Sequence, residues 1–396
     1  MGFYTRFIES SLLNSLKKHP VTALTGPRQC GKSTLVKRIL EEKSYQTASQ
    51  IASIEEDGHV YLDLERPSDL AKLENAEWFL SAHKNKLICI DEIQRKPELF
   101  PLIRSLVDEW NRPGCFLILG SASRDLLKQS SESLAGRVSY KRLTPFLWNE
   151  IKIKHSMEHY FSSGGFPRSI LVADEDSYQW RHDFITTFLE RDLLQWKEVS
   201  SVTMSRLWRM LAHLNGQTVN YSTLANSLGM NSVSVKTYIE LLADTYMVEI
   251  IHPWFSNLGK RLVKAPKVYI TDSGITAALL GLQSFEELSG HPVFGAIWEQ
   301  IVITNLRGWY PNAEICHYRT SNGAEVDLII NINGSVYVIE CKASYSPVLS
   351  KGNYLAFEDI APKHVFVVIP ASQGWPLKPG IDVVSLGELQ EKLAAY

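Results

Sequence analysis

Cysteine is scarce in this sequence. Only five of the 396 residues are cysteines, no two of them form a C-x-x-C pair, and their number is odd. They are Cys30, Cys89, Cys115, Cys316 and Cys341. Disulfide frameworks and structural zinc sites both depend on paired, suitably spaced cysteines. The odd number and wide spacing of the cysteines therefore argue against a disulfide framework and a structural zinc site.

Long apolar runs are also absent. No stretch approaches the roughly 18 apolar residues that a membrane-spanning helix needs. The stretch from Met1 to Lys18 lacks the apolar block of a secretory signal, because Glu9 and several polar residues interrupt it. We therefore expect a cytoplasmic protein with no membrane partner.

An overall excess of positive charge is missing as well, since the net charge is −2. The balance differs between regions: residues 203–275 carry seven basic and four acidic side chains, whereas residues 276–396 carry seven and twelve. A nucleic-acid-binding protein usually shows a basic patch or stripe. Any contact with DNA is therefore expected to be local or to involve an assembly.

Strands and helices alternate in the first 150 residues, which predicts an α/β fold with a parallel sheet. The predicted strands are Val21–Thr25, Val60–Leu64, Leu87–Ile90 and Phe116–Leu119. Helices are predicted at Ser33–Leu40 and Leu99–Trp110. We expect four domains: this α/β domain at 1–148, a helical lid at 149–202, a winged helix at 203–275 and a second α/β domain at 276–396.

A phosphate-binding loop is predicted where the first strand meets a helix. Residues 26–33 match G-x-x-x-x-G-K-[ST] at every fixed position. Gly31 lets backbone N–H groups approach a phosphate, Lys32 reaches the β and γ oxygens, and the Ser33 hydroxyl can bind Mg²⁺. The predicted ATP-contacting residues are Gly26, Pro27, Arg28, Gln29, Cys30, Gly31, Lys32, Ser33 and Thr34.

Two acidic residues follow the apolar run Leu87–Ile90. Asp91 is predicted to hold the Mg²⁺ shell, and Glu92 to polarise the water that attacks ATP. Acidic residues at strand ends are common in α/β proteins, but here they accompany the phosphate loop. The pattern predicts ATP binding and hydrolysis.

Further catalytic candidates lie near the next strand end. Ser121 follows the strand Phe116–Leu119 and is a candidate sensor of the γ-phosphate. Arg137, or else Arg124, is a candidate arginine finger, acting within the chain or towards a neighbouring subunit. The alternative for both arginines is an ordinary surface guanidinium.

A second set of charged residues lies near the C-terminal end. Asp327 lies in the strand 325–332, and the strand 335–341 ends in Glu340-Cys341, followed by Lys342. Side chains two apart on a strand share a face, so Glu340 and Lys342 project together. These residues match the PD-(D/E)-x-K pattern of metal-dependent phosphodiester hydrolysis. Asp327, Glu340 and Glu299 are predicted metal ligands, with Asp327, Glu340 and Lys342 catalytic. The alternative is that the acidic strand ends are simply solvated.

A helix-turn-helix pattern precedes this region, with helices at Ser222–Leu228 and Ser232–Leu242 and with Ser222 and Ser232 as predicted N-caps. The second helix carries Asn231, Ser232, Ser234, Lys236 and Thr237 as candidate DNA contacts. A strand ribbon, Met247–Pro253 with Lys267–Thr271, is predicted next to it. Candidate wing contacts are Lys260, Arg261, Lys264 and Lys267. The alternative is a winged helix that packs against protein only.

Taken together, these motifs resemble a bacterial and archaeal family of AAA-type P-loop ATPases that end in a domain of unknown function related to restriction endonucleases. The shared motifs are Gly26–Thr34, Ile90–Gln94, Glu132–Val138, Gly164–Arg168, Glu190–Leu193, Gly323–Asp327 and Glu340–Lys342. The resemblance implies an AAA+-like parallel sheet, a winged-helix middle section and a nuclease-like C-terminal domain. It also implies ATP binding and hydrolysis.

Three functional hypotheses follow. The first is an ATPase that binds and remodels duplex or branched DNA, of the helicase or branch-migration type, as a homo-oligomer from dimer to hexamer. The second is an ATP-gated oligomeric switch whose winged helix and inactive nuclease-like domain bind a partner without remodelling it. The third is a toxin–antitoxin or defence regulator that binds one DNA sequence.

Overall fold

The computed structural model describes residues 3–41, 58–120, 133–192, 200–254 and 263–395. The chain forms two compact units, Met1–Pro145 with Asp244–Tyr246, and Phe146–Ala243 with Met247–Tyr396. Within the described ranges, no helix has the length and apolar character needed to cross a bilayer.

The first unit contains a five-stranded parallel sheet with the strand order β2-β3-β4-β1-β5. Its strands are β1 (Val21–Thr25), β2 (His59–Asp63), β3 (Leu87–Asp91), β4 (Phe116–Gly120) and β5 (Val138–Arg142). The central strands β1, β3 and β4 are buried along their whole length. Parallel strands covered on both faces read as continuous apolar runs, which explains why the sequence predicted these three strands.

The helices of this unit are α1 (Glu9–Lys18), α2 (Lys32–Glu41), α3 (Pro67–Lys72), α4 (Ala76–Ala82) and α5 (Leu99–Trp110), with a 3₁₀ turn at Ile93–Arg95. Helix α5 buries Leu99, Phe100, Ile103, Leu106 and Val107 on the sheet. The predicted parallel α/β sheet is confirmed. Strand β5 was not predicted, because it lies at the sheet edge and is only partly buried.

The second unit combines many helices with one mixed sheet. Its helices are α6 (Trp148–Ile151), α7 (Met157–Ser163), α8 (Pro167–Ile170), α9 (Asp174–Thr187), α10 (Ser201–His213), α11 (Tyr221–Leu228), α12 (Ser232–Asp244), α13 (Ser273–Leu280), α14 (Phe285–Ser289), α15 (Phe294–Trp309), α16 (Lys351–Ile360) and α17 (Leu386–Ala395), with a π-helical turn at Phe188–Asp192. Its strands are β6 (Val248–Pro253), β7 (Lys267–Ile270), β8 (Glu314–Arg319), β9 (Glu325–Ile332), β10 (Ser335–Cys341), β11 (His364–Ile369), β12 (Trp375–Lys378) and β13 (Ile381–Ser385).

The eight strands follow the order β12-β13-β11-β10-β9-β8-β6-β7. Strand β9 is antiparallel to both β8 and β10, whereas β10, β11 and β13 run parallel. The antiparallel ribbon of β6 and β7 joins this sheet, since His252 of β6 is in register with Cys316 of β8. The strands predicted at 325–332 and 335–341 are present, together with an exposed edge strand, β12, that the sequence did not indicate.

The helix pair α11 and α12 is present, but its N-caps are not the predicted serines. The Asn220 side chain accepts a hydrogen bond from the Thr223 N–H at 3.0 Å, and the Asn231 side chain accepts one from the Ser234 N–H at 2.8 Å. Asparagine is as good an N-cap as serine. Ser222 and Ser232 therefore lie inside the first turns of their helices, and their predicted capping role is wrong.

The motif Gly164–Arg168 surrounds a buried carboxylate. The Gly165 N–H donates to Asp272 Oδ2 at 2.7 Å, and the Ile275 N–H donates to Oδ1 at 3.0 Å. Gly164 has φ +72°, and a Cβ there would lie 2.1 Å from Asp272 Oδ1. The glycine pair therefore serves the packing of the second unit around the start of α13.

Candidate functional site

The phosphate loop occupies the turn between β1 and α2. Gly26 has φ +151° and approaches the backbone so closely that a Cβ there would lie 2.1 Å from the Leu143 carbonyl oxygen. Gly31, with φ +99°, directly precedes the first helical residue. Both glycines therefore stand where a side chain would fill or strain the cradle. This local geometry suits a bound phosphate at the N-terminus of α2.

Lys32 is 6% exposed and folds back over the loop. Its ammonium donates to the carbonyl oxygens of Gly26 at 2.9 Å and Pro27 at 2.8 Å. Carbonyl oxygens satisfy the ammonium without neutralising its charge. The ammonium is therefore held over the loop, where a phosphate would bind.

The structure brings Ser33 and Asp91 together, as the motif spacing predicts. The Ser33 hydroxyl donates to Asp91 Oδ2 at 2.5 Å, because α2 follows β1 and Asp91 ends β3 in the same sheet. Tyr61 of the neighbouring strand β2 donates to the same oxygen at 2.5 Å. Burial and the Asp91 carboxylate raise the pKa of Tyr61, so the phenol stays protonated as a donor. The sequence contained no signal for this tyrosine.

Glu92 leaves the sheet in a left-handed conformation with φ +55°. Its N–H donates to Asp91 Oδ1 at 3.0 Å, and its carboxylate accepts a hydrogen bond from the Gln94 side chain. Positive φ is uncommon for a residue other than glycine and often marks a functional turn. The turn places Glu92 directly after Asp91, at the carboxyl end of β3.

The other catalytic candidates of this unit have different outcomes. Ser121 and Arg124 lie outside the described residues. The Arg137 guanidinium forms a bidentate ion pair with the Asp108 carboxylate, at 2.5 and 2.9 Å. The Arg137 backbone carbonyl accepts a hydrogen bond from the Val21 N–H. Val21 is at the amino end of β1, whereas the phosphate loop follows the carboxyl end of this strand. Arg137 therefore lies at the opposite end of β1 from the loop. The structure does not bring Arg137 to the phosphate loop of its own chain.

Arg6 supports the loop from behind and was not predicted. The guanidinium is 4% exposed and donates to the Cys30 carbonyl at 3.0 Å and the Thr144 carbonyl at 2.6 Å. It thereby connects the phosphate loop to the segment after β5. Its partners are 24 and 138 positions away, so no local pattern reveals them.

The second unit brings together Asp327 of β9 with Glu340 and Lys342 at the end of β10. The Cys341 N–H donates to Asp327 Oδ2 at 2.8 Å, and the Asp327 N–H donates to Glu340 Oε2 at 3.3 Å. The Lys342 ammonium donates to Glu340 Oε1 at 2.6 Å. The predicted strand-to-strand grouping of these side chains is therefore present.

Glu299 of α15 reaches the same cluster, together with two residues of β7. The Tyr269 hydroxyl donates to Glu299 Oε2 at 2.6 Å. The Lys267 ammonium lies 3.9 Å from Glu299 Oε2, 4.0 Å from Asp327 Oδ1 and 3.6 Å from Glu325 Oε1. Lys267 is only 5% exposed, so the expectation that it contacts DNA from a wing is wrong. Its side chain points into the carboxylate cluster, since buried ammonium groups need anionic partners.

Burial controls the electrostatics of this cluster. It raises the pKa of Glu299 to about 8 and that of Glu340 to about 7, with Asp327 adding to both shifts. Burial likewise raises the pKa of Asp327, against the opposing effect of Lys267. For Lys267, burial opposes the charge, but the carboxylates of Glu299, Asp327 and Glu325 raise its pKa overall.

The two predicted Mg²⁺ sites fit the metal differently. The Ser33 hydroxyl and Asp91 lie beside a cradle that a Cβ would fill, and these oxygens suit Mg²⁺. In the second unit, the predicted ligands are already bound by ammonium and N–H groups. Across the described ranges, no group of three or more His, Cys, Asp or Glu side chains is arranged to hold a metal ion.

The candidate DNA contacts on α12 are solvent-accessible. Asn231, Ser232, Lys236 and Thr237 are exposed and Ser234 is half-buried. The Asn231 side chain serves as the N-cap, and Lys236 lies 3.9 Å from Glu240. Lys264 is exposed, whereas Lys260 and Arg261 lie outside the described residues. Binding of DNA by this face stays a prediction.

Three family models match successive parts of the chain. Residues 18–152 match an AAA domain, residues 154–286 a domain of unknown function (DUF8612) and residues 294–389 a domain of unknown function (DUF4143). The AAA match therefore contains the phosphate loop and Asp91, and the DUF4143 match contains the carboxylate cluster except Lys267 and Tyr269.

Two mycobacterial proteins are similar over nearly the whole chain. Uncharacterized proteins of Mycobacterium tuberculosis and Mycobacterium bovis are each 36% identical over 391 residues, covering 97% of this chain and 85% of theirs. Among solved structures, C. elegans PCH-2 is 14% identical, covers 59% of this chain and 68% of its own, and has a TM-score of 0.23. Drosophila ORC bound to DNA is 11% identical, covers 69% and 84%, and has a TM-score of 0.25. Structural likenesses this weak carry no argument about activity or partners.

Proposed function

Since this chain contains an AAA domain and belongs to the same family as the two mycobacterial proteins, we propose that it hydrolyses ATP and uses the energy to remodel duplex or branched DNA. The observation that carries the ATPase part is the 2.5 Å contact of Ser33 with Asp91, together with the ammonium of the preceding residue, Lys32, which lies over the phosphate loop. These groups come from two separate segments of the chain, the start of α2 and the end of β3, and only the fold brings them together. They are the parts that phosphoryl transfer requires.

In this proposal each side chain has a defined task. Lys32 exchanges its carbonyl partners for phosphate oxygens, and backbone N–H groups at the start of α2 bind the same phosphates. Mg²⁺, held by Ser33 and Asp91, neutralises charge on the phosphates when it is bound. Glu92 orients the attacking water once its hydrogen bond with Gln94 is released.

The DNA part of the proposal depends on the second unit. The exposed face of α12 carries hydroxyl, amide and ammonium groups, which are typical contacts of phosphates and base edges. The region 203–275 has a net charge of +3, which favours a local DNA contact. The C-terminal domain is proposed to be a metal-dependent nuclease-like module that binds or cuts the same DNA.

Steady-state ATP hydrolysis with Mg²⁺ tests the proposal, measured alone and with single-stranded, duplex or four-way-junction DNA. We expect one DNA form to stimulate turnover several-fold, and Lys32→Ala to abolish it. Lys17→Ala, at an exposed position of α1 in the same unit, is the matched control for loss of a lysine. Robust turnover by Lys32→Ala would contradict the phosphate-site assignment.

The nuclease-like part has its own test. Asp327→Ala should remove any cleavage of DNA with Mg²⁺ or Mn²⁺ and leave ATP hydrolysis intact, because the two sites lie in different units. If the unaltered protein cuts none of the three DNA forms with either metal, the catalytic part of this proposal fails.

A second candidate is an ATP-gated oligomeric switch that binds a partner without remodelling it. The net charge of −5 in residues 276–396 favours it, because acidic surfaces repel DNA. This candidate predicts slow turnover that no DNA changes, together with a nucleotide-dependent oligomer size in light scattering. A sequence-specific regulator would instead bind one DNA sequence tightly and with strong salt dependence.

A further inference from the structure

The carboxylate cluster of the second unit contains a cation from its own chain. The Lys267 ammonium lies within 4.0 Å of Glu299, Glu325 and Asp327, one oxygen of each. Two of these residues, Glu299 and Asp327, are predicted ligands of a divalent metal. The lysine is the first residue of β7, so it reaches the cluster from the strand ribbon rather than from the strands that carry the PD-(D/E)-x-K pattern.

The oxygens of the predicted ligands are largely committed to protein donors. Asp327 Oδ2 accepts from the Cys341 N–H, while Oδ1 faces Lys267. Glu340 accepts from Lys342 at one oxygen and from the Asp327 N–H at the other. Glu299 Oε2 accepts from Tyr269 and also faces Lys267. The carboxylates of the cluster therefore face the chain's own lysines, and their other oxygens accept hydrogen bonds from N–H and O–H donors.

A divalent ion and the Lys267 ammonium compete for the same place. A metal that binds both Glu299 and Asp327 has to bring their oxygens to about 2.1 Å from itself. The space between these two carboxylates is where the ammonium lies, and like charges at such short range repel strongly in a buried site. The donors present do not fit a metal without a movement of Lys267.

We infer that the ammonium of Lys267 takes the place of a divalent cation between Glu299 and Asp327, so that the cluster binds metal weakly until this lysine is removed. The inference rests on the metal role proposed above for Glu299 and Asp327. Its consequence is that metal-dependent cleavage, where it occurs, requires Lys267 to leave the cluster first.

Titration with Mn²⁺, followed by the electron paramagnetic resonance signal of the free ion, tests the inference. The full-length chain is used without nucleotide and with Asp91→Asn throughout, which removes the metal ligand of the phosphate site. Lys267→Met keeps the length and apolar stem of the side chain but removes its charge. We expect this variant to bind Mn²⁺ at least tenfold more tightly than its parent.

Two controls test whether the gain in Mn²⁺ affinity depends on the charge of Lys267 within the cluster. Lys267→Arg retains the charge in the cluster, and Lys351→Met removes a charge from an exposed position of the same unit. Neither variant should gain Mn²⁺ affinity. A gain by Lys351→Met equal to that of Lys267→Met would overturn the inference, because a general charge effect would then explain both.

The remaining outcomes distinguish this inference from the proposed function. If the parent binds Mn²⁺ as tightly as Lys267→Met, the role of Lys267 is wrong and the metal site stands. If neither protein binds Mn²⁺, the proposed metal site itself is wrong. Should Lys267→Met fail to fold, Lys267→Gln takes its place with the same expected gain in Mn²⁺ affinity, and micromolar binding by the parent overturns the inference.

Discussion

Each unit has a buried lysine in its candidate site, but the two lysines have different partners. In the first unit, Lys32 donates to backbone carbonyls, and Asp91 accepts from the hydroxyl groups of Ser33 and Tyr61. In the second unit, Lys267 and Lys342 face carboxylates directly. In the first site, the ammonium for an incoming phosphate and the carboxylate for its metal belong to separate residues, Lys32 and Asp91, with different hydrogen-bond partners. The second site has balanced its charges internally, so a ligand must displace a group of the protein.

Of the changes that would disrupt one site and not the other, we expect the largest effect when the phosphate cradle is filled. For Gly26→Ala we expect a loss of about 3 kcal/mol or more in the free energy of unfolding of the first unit, together with loss of ATP binding. The new Cβ would lie 2.1 Å from the Leu143 carbonyl, which forces the backbone apart. Chemical denaturation and nucleotide titration measure both effects.

Gly136→Ala is the control for this change. Gly136 has φ +75° and no atom within 4 Å of an added Cβ, so only the left-handed strain of about 1 kcal/mol remains. Equal losses in the two alanine variants would show that the close approach at Gly26 has no special role.

The charge separation in the first unit is tested by Asp91→Asn. We expect ATP turnover to fall at least about 100-fold while the fold is retained, because the amide cannot hold Mg²⁺ as a carboxylate does. Steady-state hydrolysis measures the change. Asp63→Asn, at the end of the neighbouring strand, is the matched control. An equal fall in ATP turnover for Asp63→Asn would mean that Asp91 has no specific role in hydrolysis.

Arg6→Met tests the support behind the loop. Two buried carbonyls, of Cys30 and Thr144, lose a charged donor, so we expect a loss of about 2 kcal/mol and weaker ATP binding. Thermal unfolding with and without ATP measures both. Arg38→Met removes the partly exposed pair with Glu9 and should cost less, about 1 kcal/mol. The expectation fails if ATP affinity is the same in both variants.

The buried Glu299 of the second unit predicts that the stability of the protein changes gradually with pH. Burial raises the pKa of Glu299 from 4.5 to about 8, so the folded chain holds a proton there that the unfolded chain releases above pH 4.5. The stability that this proton contributes is present at pH 4.5 and below and is lost as the pH rises towards 8. The slope is at most about 1.4 kcal/mol per pH unit.

Glu299→Gln keeps the shape of the side chain without the titration. The difference in unfolding free energy between the two proteins isolates this group from all others. We expect the unaltered protein to lose stability relative to Glu299→Gln as the pH rises from 5 to 8. A constant difference over this range would contradict the buried, protonated state of Glu299.

Strands that are buried throughout were predicted from the sequence, whereas the strands that were missed are partly buried or exposed. The strands at 21–25, 87–91 and 116–120 are buried throughout and were visible as apolar runs, and β9 and β10 were predicted with their observed bounds. The missed strands are β5, which is partly buried, and β12, which is exposed and contains Pro376. Edge strands bury too little to leave a pattern in the sequence.

The sequence by itself determined the phosphate loop, Asp91 and the pairing of Asp327 with Glu340, because each depends on neighbours in the chain or on adjacent strands. Only the tertiary structure decided the roles of Arg6, Tyr61 and Lys267. Their partners lie 24 or more positions away. A charged or hydroxyl side chain looks alike in any local pattern, and its role depends on which distant carbonyl or carboxylate shares its burial. For Lys267 that difference turned an expected DNA contact into a cation of the carboxylate cluster.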